Sequence, residues 1–153
     1  MENLFNKFLL LMSSFKENEV DYIIIGGMAI NLHGFARNTQ DIDIFVEPDK
    51  KNIDRLKKSL MKVFNDKEID EINYSDFTEY PVIRYGTEYG FYIDIIAGIG
   101  ERFKFSDLSY IEKIIEGVNV KFADAKTLYK LKENTYREID QLDLKFLKTI
   151  LEK

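Results

Sequence analysis

The segment formed by residues 22–46 restricts the fold more than any other part of the chain. It reads YIIIGGMAINLHGFARNTQDIDIFV, with two apolar runs separated by a glycine pair and a short amphipathic stretch. The first run, Tyr22–Ile25, is apolar at every position, which is typical of a central strand covered on both faces. The pattern predicts a strand, a glycine turn, a short helix over 27–34, a polar loop and a second strand at 41–46.

Two carboxylates, Asp41 and Asp43, lie inside the second apolar run. Side chains two residues apart on a strand point to the same face, with their Cα atoms about 7 Å apart. Carboxylates this close repel each other unless a cation lies between them, and hard divalent cations such as Mg²⁺ prefer oxygen ligands. The pair therefore predicts a metal site, although the polar outer face of an ordinary alternating strand would show the same pattern.

The glycine pair, Gly26 and Gly27, precedes the predicted short helix. Glycine lets backbone N–H groups approach a ligand closely, and the start of a helix favours negative charge. A phosphate-binding turn beside metal-binding carboxylates indicates chemistry on a nucleoside triphosphate. On its own, a glycine pair is also common in ordinary turns.

A third carboxylate, Asp94, lies in the apolar run FYIDIIA at residues 91–97. Burying an ionised carboxylate without a partner costs several kcal/mol. Asp94 therefore requires a cation, a hydrogen-bond network or a solvated edge strand. Together with Asp41 and Asp43, it predicts a metal site made of three carboxylates.

The rest of the chain predicts elements that surround this unit. Helical spacing and capping signals predict four further helices, over residues 2–17, 49–65, 125–133 and 136–151. Pro48 is expected to start the second of these, and Asp124 to cap the third. Turn signals and alternation predict strands at 81–85 and 91–97 (as a hairpin), near 69–74 and at 118–122, with a mixture of loop, helical turn and strand over 103–116.

These elements predict an α/β (α+β) fold, in which a mixed, partly antiparallel sheet is flanked by helices. We expect a single domain over residues 1–153 with C-terminal helices. The last helix is expected to face the core with five apolar residues, Ile139, Leu142, Leu144, Leu147 and Ile150.

Composition excludes several functional classes. With 153 residues, of which 45% are hydrophobic and 32% charged, the chain is long enough for one folded domain. It contains no cysteine, which excludes disulfides, thiol nucleophiles and zinc–thiolate sites. A net charge of −5 disfavours non-specific coating of nucleic acid. No membrane-spanning run or secretory signal is visible, so we expect a cytoplasmic protein that does not associate with a membrane.

Further candidates for contact with a nucleotide lie near the C-terminus and in the loop before Asp41. Lys132, Arg137, Asp140 and Asp143 lie among apolar positions, and the last three are spaced three residues apart, on one helix face. A salt-bridged surface helix would show the same pattern.

The loop carries Arg37 and Thr39, where an arginine could bind phosphate with two hydrogen bonds. Both could equally be solvated loop residues. His33 is the only histidine, and we expect it to pack or cap rather than catalyse.

Taken together, these residues resemble the polymerase-β-type minimal nucleotidyltransferase family, and within it the AbiEii-like branch linked to toxin–antitoxin systems. Gly26-Gly27, thirteen further residues and then Asp41-Ile42-Asp43 resemble the glycine motif and the Asp-x-Asp motif of that family. The segments AINLHG and RNTQD between them are also similar to this branch. The resemblance extends from residue 22 to about 147, and its remaining matches are Asp94, Leu128, Lys132, Arg137, Asp140 and Asp143.

The resemblance implies a Mg²⁺-dependent nucleotidyltransferase, with Mn²⁺ as an alternative ion. Such an enzyme would transfer a nucleoside monophosphate from an NTP, such as ATP, to a hydroxyl acceptor. The implied catalytic residues are Asp41, Asp43, Asp94 and Lys132, of which the three aspartates would hold the metal. Nucleotide binding would involve Gly26, Gly27, Arg37, Thr39, Lys132, Arg137, Asp140 and Asp143.

The acceptor stays open among RNA (a tRNA end, for instance), a protein hydroxyl and a small molecule such as an aminoglycoside. The same resemblance implies a toxin role with an antitoxin protein as partner. Many members of the family have serine where this chain has Gly27. This difference supports an alternative, a catalytically weak nucleotide- or partner-binding module on the same fold. A third interpretation is an acidic structural domain whose carboxylates are simply solvated.

Overall fold

The strand β1, Tyr22–Ile25, lies at the centre of the sheet, and all four of its residues are buried. This burial explains its uninterrupted apolar sequence, since a strand covered on both faces has no position for a solvated side chain. The computed structural model describes residues 2–36, 38–99, 103–133 and 138–152. No helix among these residues is both long and apolar enough to cross a bilayer.

Within the described residues the chain forms six helices and six strands. The helices are α1 Glu2–Glu17, α2 Gly26–Leu32, α3 Lys50–Phe64, α4 Asp76–Glu79, α5 Ala125–Lys132 and α6 Glu138–Leu151. The strands are β1, β2 Asp41–Val46, β3 Val82–Gly86, β4 Tyr92–Ile96, β5 Tyr110–Ile115 and β6 Val118–Ala123. Two short 3-10 helices lie at Lys67–Glu71 and Phe105–Asp107.

The six strands form one mixed sheet with the order β3-β4-β2-β1-β6-β5. β1 runs antiparallel to β2 and parallel to β6, β2 runs parallel to β4, and the pairs β3–β4 and β5–β6 are antiparallel. α1 packs against α3 and β6, α2 packs on β1 and β2, and α5 packs against α6. The predicted α/β (α+β) fold class, a mixed sheet flanked by helices, is confirmed.

Two local predictions are wrong, and side-chain caps explain both. Pro48 does not start α3; the helix begins at Lys50, and Asp49 caps it by accepting a hydrogen bond from the backbone N–H of Asn52 at 2.7 Å. The strand expected near 69–74 is absent from this described segment, which forms a 3-10 turn and then a loop. Asp66 accepts a hydrogen bond from the N–H of Glu68 at 3.0 Å, and this local bond competes with strand formation.

The face by which α6 packs also differs from the predicted apolar stripe. Leu147 is buried, but Leu142 is 46% exposed, and the side chain of Ile139 lies outside the described part of the chain. The buried positions one and two turns before Leu147 are Asp143 and Asp140. The helix therefore turns a partly charged face to the interior.

A buried ion cluster, Lys132 with Asp140 and Asp143, explains this orientation. The Nζ atom of Lys132 lies 2.9 Å from Asp140 Oδ1 and 3.1 Å from Asp143 Oδ2. All three side chains are less than 10% exposed. Because a buried ammonium group and buried carboxylates stabilise each other only in contact, the cluster holds α6 against the end of α5.

We predict that Lys132→Met destabilises the protein strongly, because it removes the ammonium group that both buried carboxylates contact. Removing one partner of a buried ion pair costs about 3–5 kcal/mol. Urea denaturation would measure this loss. The control is Lys130→Met, which removes an exposed lysine from the same helix and should change stability by less than about 0.5 kcal/mol. Equal stabilities of the two variants would show that the cluster does not hold α6.

Candidate active site

Strand register places three charged side chains in one row across the sheet. Asp43 on β2 pairs with Asp94 on the parallel strand β4, and Asp94 pairs in turn with Arg84 on the antiparallel strand β3. Asp41, two residues before Asp43, points to the same face. The structure therefore brings together the three carboxylates that the sequence singled out. Asp41, Asp43 and Asp94 are called the acidic row below.

Arg84 lies among these carboxylates. Its Nε atom donates to Asp94 Oδ1 at 2.8 Å and its terminal nitrogen to Asp94 Oδ2 at 3.0 Å, which is a bidentate pair. The same terminal nitrogen lies 3.4 Å from Asp41 Oδ2. The guanidinium carbon lies 4.5 Å from the centre of the Tyr92 ring, in a cation–π contact. Arg84 is thus the cation that a buried Asp94 requires.

Asp43 has a strongly perturbed carboxyl group. Burial, the negative charge of Asp94 and a hydrogen bond shared with Asp94 raise the pKa of Asp43 to about 7, and the charge of Asp41 adds to this increase. Lys132 opposes the shift and lowers the pKa of Asp43, which places its ammonium charge within electrostatic reach of the carboxylate row. The row therefore concentrates more negative charge than the neighbouring cations balance.

Gly26 lies directly against Asp43. Its φ of +69° belongs to the left-handed region, where other residues are strained. A Cβ atom at this position would lie 2.9 Å from Asp43 Cγ and would overlap Asp43 Oδ2. Glycine is therefore needed here for two independent reasons, the backbone conformation and the close approach of the carboxylate.

Gly26 and Gly27 form the first turn of α2. The residue before them, Ile25, has no side-chain oxygen, so it provides no side-chain cap for the amide groups of this turn. Gly27 is buried inside the helix. This backbone can present N–H groups next to Asp43, as the sequence pattern suggested.

Lys132 approaches the same turn from α5. A small cavity of about 120 Å³ lies between them, lined by Ile25, Gly26, Ile99, Leu128, Leu131, Lys132 and Asp140. The Lys132 side chain is 9% exposed, and its Nζ is held by Asp140 and Asp143. Lys132 and Asp140 therefore line the cavity beside the glycine turn, while the ammonium group of Lys132 contacts Asp140 and Asp143.

The remaining predicted site residues are less informative. Thr39 donates a hydrogen bond from its hydroxyl to the carbonyl oxygen of Asp41 at 3.0 Å, so it supports the backbone at the start of β2. Arg37 and Arg137 lie outside the described residues. His33 packs as expected: its Nε2 lies 2.9 Å from the carbonyl oxygen of Ala123, and its ring edge contacts Phe122.

The side chains of the row offer carboxylate oxygens, which are suitable ligands for a hard divalent cation. Asp41, Asp43 and Asp94 lie on one face of two neighbouring strands. No three acidic or histidine side chains in the described residues form a ready-made metal cluster. The Arg84 guanidinium, rather than a metal-ligating side chain, is the group that contacts both Asp41 and Asp94.

Sequence reasoning missed Arg84 and its neighbour Tyr92. Arg84 is the only charged residue of β3, as Asp94 is of β4. Opposite lone charges on the two strands of a predicted hairpin are a signal for a cross-strand ion pair, and this signal was available. The position of Tyr92 next to Asp41 depends on the β2–β4 register, which has no local signal.

Comparison with known proteins shows the same fold. No curated protein sequence matches the chain. Among solved structures, a lincomycin-bound lincosamide antibiotic adenylyltransferase, LnuA, matches with a TM-score of 0.65 and 17% identity over 95% of this chain and 96% of that one. An antigenic nucleotidyltransferase-like protein from Paracoccidioides brasiliensis matches with a TM-score of 0.60 and 16% identity, covering 94% of this chain and 75% of that one. The antibiotic-resistance factor ANT(2'')-Ia matches with a TM-score of 0.60 and 14% identity, covering 98% and 85%.

A family model gives the more specific result. The model described as "Nucleotidyl transferase AbiEii toxin, Type IV TA system" matches residues 9–113, more than half of the chain. The matched residues include the glycine pair and all three aspartates of the row, and they end before Lys132. The chain belongs to the AbiEii nucleotidyltransferase toxin family and is an enzyme of the nucleotidyltransferase class.

Proposed function

We propose that this enzyme transfers a nucleoside monophosphate from an NTP, such as ATP, to a hydroxyl acceptor with the help of Mg²⁺, for which Mn²⁺ can substitute. The observation that supports this most strongly is the contact between Asp43 and Asp94 across two parallel strands, directly beside Gly26. The turn that would bind phosphate and the row that would bind the cation are therefore in direct contact, through Gly26 and Asp43.

The three aspartates would hold the metal. When bound, a divalent ion would offset the negative charge of the triphosphate and of the leaving pyrophosphate. Asp41 and Asp43 lie on the strand next to the glycine turn, which makes them the ligands nearest to the phosphates. Asp94 lies on the far side of Asp43 from the turn, and there it would also accept the proton of the acceptor hydroxyl.

The glycine turn and Lys132, which lie on the side of the row away from Asp94, would hold the nucleotide. Gly26 and Gly27 would donate backbone hydrogen bonds to phosphate oxygens at the start of α2. Lys132 would contribute positive charge next to this turn while Asp140 and Asp143 keep its side chain in place. We place Thr39, Arg37 and Arg137 as nucleotide-positioning residues, and of these Thr39 acts through the backbone of Asp41.

The acceptor can be a small molecule, an RNA or a protein. Two proteins with a similar fold have been solved with an antibiotic or its adenylyl derivative: LnuA is lincomycin-bound, and ANT(2'')-Ia is in complex with adenylyl-2''-tobramycin. The family description concerns a toxin of a toxin–antitoxin system, and it favours a cellular target such as a tRNA end. In that role the enzyme would have an antitoxin protein as partner.

One observation favours a second candidate, a nucleotide- or partner-binding module with little turnover. Gly27 has no hydroxyl group to offer a phosphate and is buried in α2. Such a module would bind a nucleotide in calorimetry but form no transfer product with any of the three acceptor classes.

We predict that Asp43→Ala abolishes transfer of label from a labelled NTP, because it removes the carboxylate between the glycine turn and Asp94. The expected loss is at least about 100-fold, the effect of removing one electrostatic group from a reaction centre. Total RNA, tRNA, protein extract and aminoglycosides would serve as acceptors. Asp54→Ala is the control, since Asp54 is an exposed member of a surface ion pair with Lys50. Equal transfer by wild type and Asp43→Ala would contradict the assignment.

We also predict that Mg²⁺ or Mn²⁺ raises the melting temperature of the wild type but not of Asp41→Asn. A ligand at about 100 times its Kd stabilises the native state by about 2.7 kcal/mol, which corresponds to about 5 °C or more for a chain of this size. Differential scanning fluorimetry after EDTA treatment would measure the shift, with Asp54→Asn as control. If the wild type shows no shift, the row does not bind a metal.

A further inference from the structure

Arg84 is the one cation in direct contact with the acidic row in the described part of the chain. It binds both oxygens of Asp94 and approaches Asp41 at 3.4 Å. Both contacts involve carboxylates to which we assign the metal. Guanidinium and metal therefore depend on the same oxygen atoms.

The guanidinium of Arg84 and a divalent ion cannot both bind these oxygens without weakening each other's binding. A carboxylate held bidentately by arginine has its strongest lone pairs already engaged. A divalent ion would in addition lie a few ångströms from a fixed positive charge, which repels it. The guanidinium keeps this charge throughout, because an arginine side chain is not deprotonated in a protein.

We propose that Arg84 is a resident counter-ion of the acidic row, which a divalent metal must displace from Asp41 and from at least one oxygen of Asp94. This inference rests on the proposed metal-dependent function and adds a positioning residue to it. In the absence of metal, Arg84 keeps the three carboxylates together at low electrostatic cost. Because Arg84 competes with the metal, the enzyme without nucleotide binds the ion more weakly than it would if Arg84 were absent.

The surroundings of Arg84 allow this displacement. Its side chain is 53% exposed and that of Asp41 is 37% exposed, so the outer part of the contact is open to solvent. The Tyr92 ring provides a second surface for the guanidinium, at 4.5 Å, that does not involve a carboxylate. Across the hairpin from Tyr92 lies Gly86, where a Cβ atom would come within 3.3 Å of the ring. Glycine at this position therefore lets the Tyr92 ring lie close to the backbone of β3.

Binding of Mn²⁺ without any nucleotide tests the proposal directly. Electron paramagnetic resonance of free Mn²⁺ would give the Kd for the wild type, Arg84→Gln and Arg84→Lys. We expect Arg84→Gln to bind Mn²⁺ about tenfold more tightly, as removal of one nearby unit charge predicts. Arg84→Lys keeps the charge and should stay within about threefold of the wild type. Arg55→Gln is the matched control, because Arg55 lies on α3 and pairs with Glu19 rather than with the row, so its loss should leave the Kd unchanged.

A second measurement does not depend on the stability of Arg84→Gln. In ¹⁵N-labelled wild type, the Nε–H signal of Arg84, identified by its loss in Arg84→Lys, should shift when Mg²⁺ is added. The Nε–H signal of Arg55 should stay in place. A shift of the Arg84 signal alone is expected if the metal disturbs the hydrogen bond from Nε–H to Asp94 Oδ1.

The outcomes separate this inference from the function on which it rests. If the wild type binds Mn²⁺ and transfers nucleotide, while Arg84→Gln binds Mn²⁺ equally or more weakly and the Arg84 signal is unmoved, the inference is wrong and the function stands. If neither protein binds Mn²⁺ and no transfer occurs, both are wrong. Tighter binding by Arg84→Gln but not by Arg55→Gln supports the inference.

Discussion

The repulsion between carboxylates in adjacent strands is the constraint on which the rest of the site depends. Asp43 and Asp94 face each other because β2 and β4 are parallel and in this register, and Asp41 follows from the alternation along β2. Burial and the negative charge of Asp94 raise the pKa of Asp43, and the carboxylates together require a cation nearby. A sheet optimised only for stability would not place two acids opposite each other, so this arrangement is typical of a functional site.

Two basic residues meet that requirement in different ways. Arg84 contacts the row directly and is half exposed, so its contacts can be exchanged. Lys132 is buried, acts on Asp43 through space, and is itself fixed by Asp140 and Asp143. Arg84 is therefore suited to contacts that change during a reaction cycle. Lys132 is suited to provide a permanent positive charge beside the glycine turn.

The shape of the surface does not by itself identify the site. A surface pocket of about 530 Å³ lies between α1, α3 and the following 3-10 turn and is lined in part by Lys57, Lys58 and Lys62. The cavity at the glycine turn is much smaller, about 120 Å³. Charge and strand register, rather than concavity, identify the candidate site.

Local sequence determined much of this protein. Apolar runs, residue spacing and turn residues predict the central strand, the glycine turn, the 41–46 strand, the hairpin and the Asp124 cap, and all of these appear in the structure. Pro48, the strand near 69–74 and the stripe at Leu142 were misjudged, because side-chain caps and a buried ion cluster outweigh propensity there. Only the tertiary structure decided that Asp94 faces Asp43, that Arg84 joins them, and that Lys132 turns inward to two aspartates. These contacts join residues far apart in the chain, and register between distant strands has no signal within either strand.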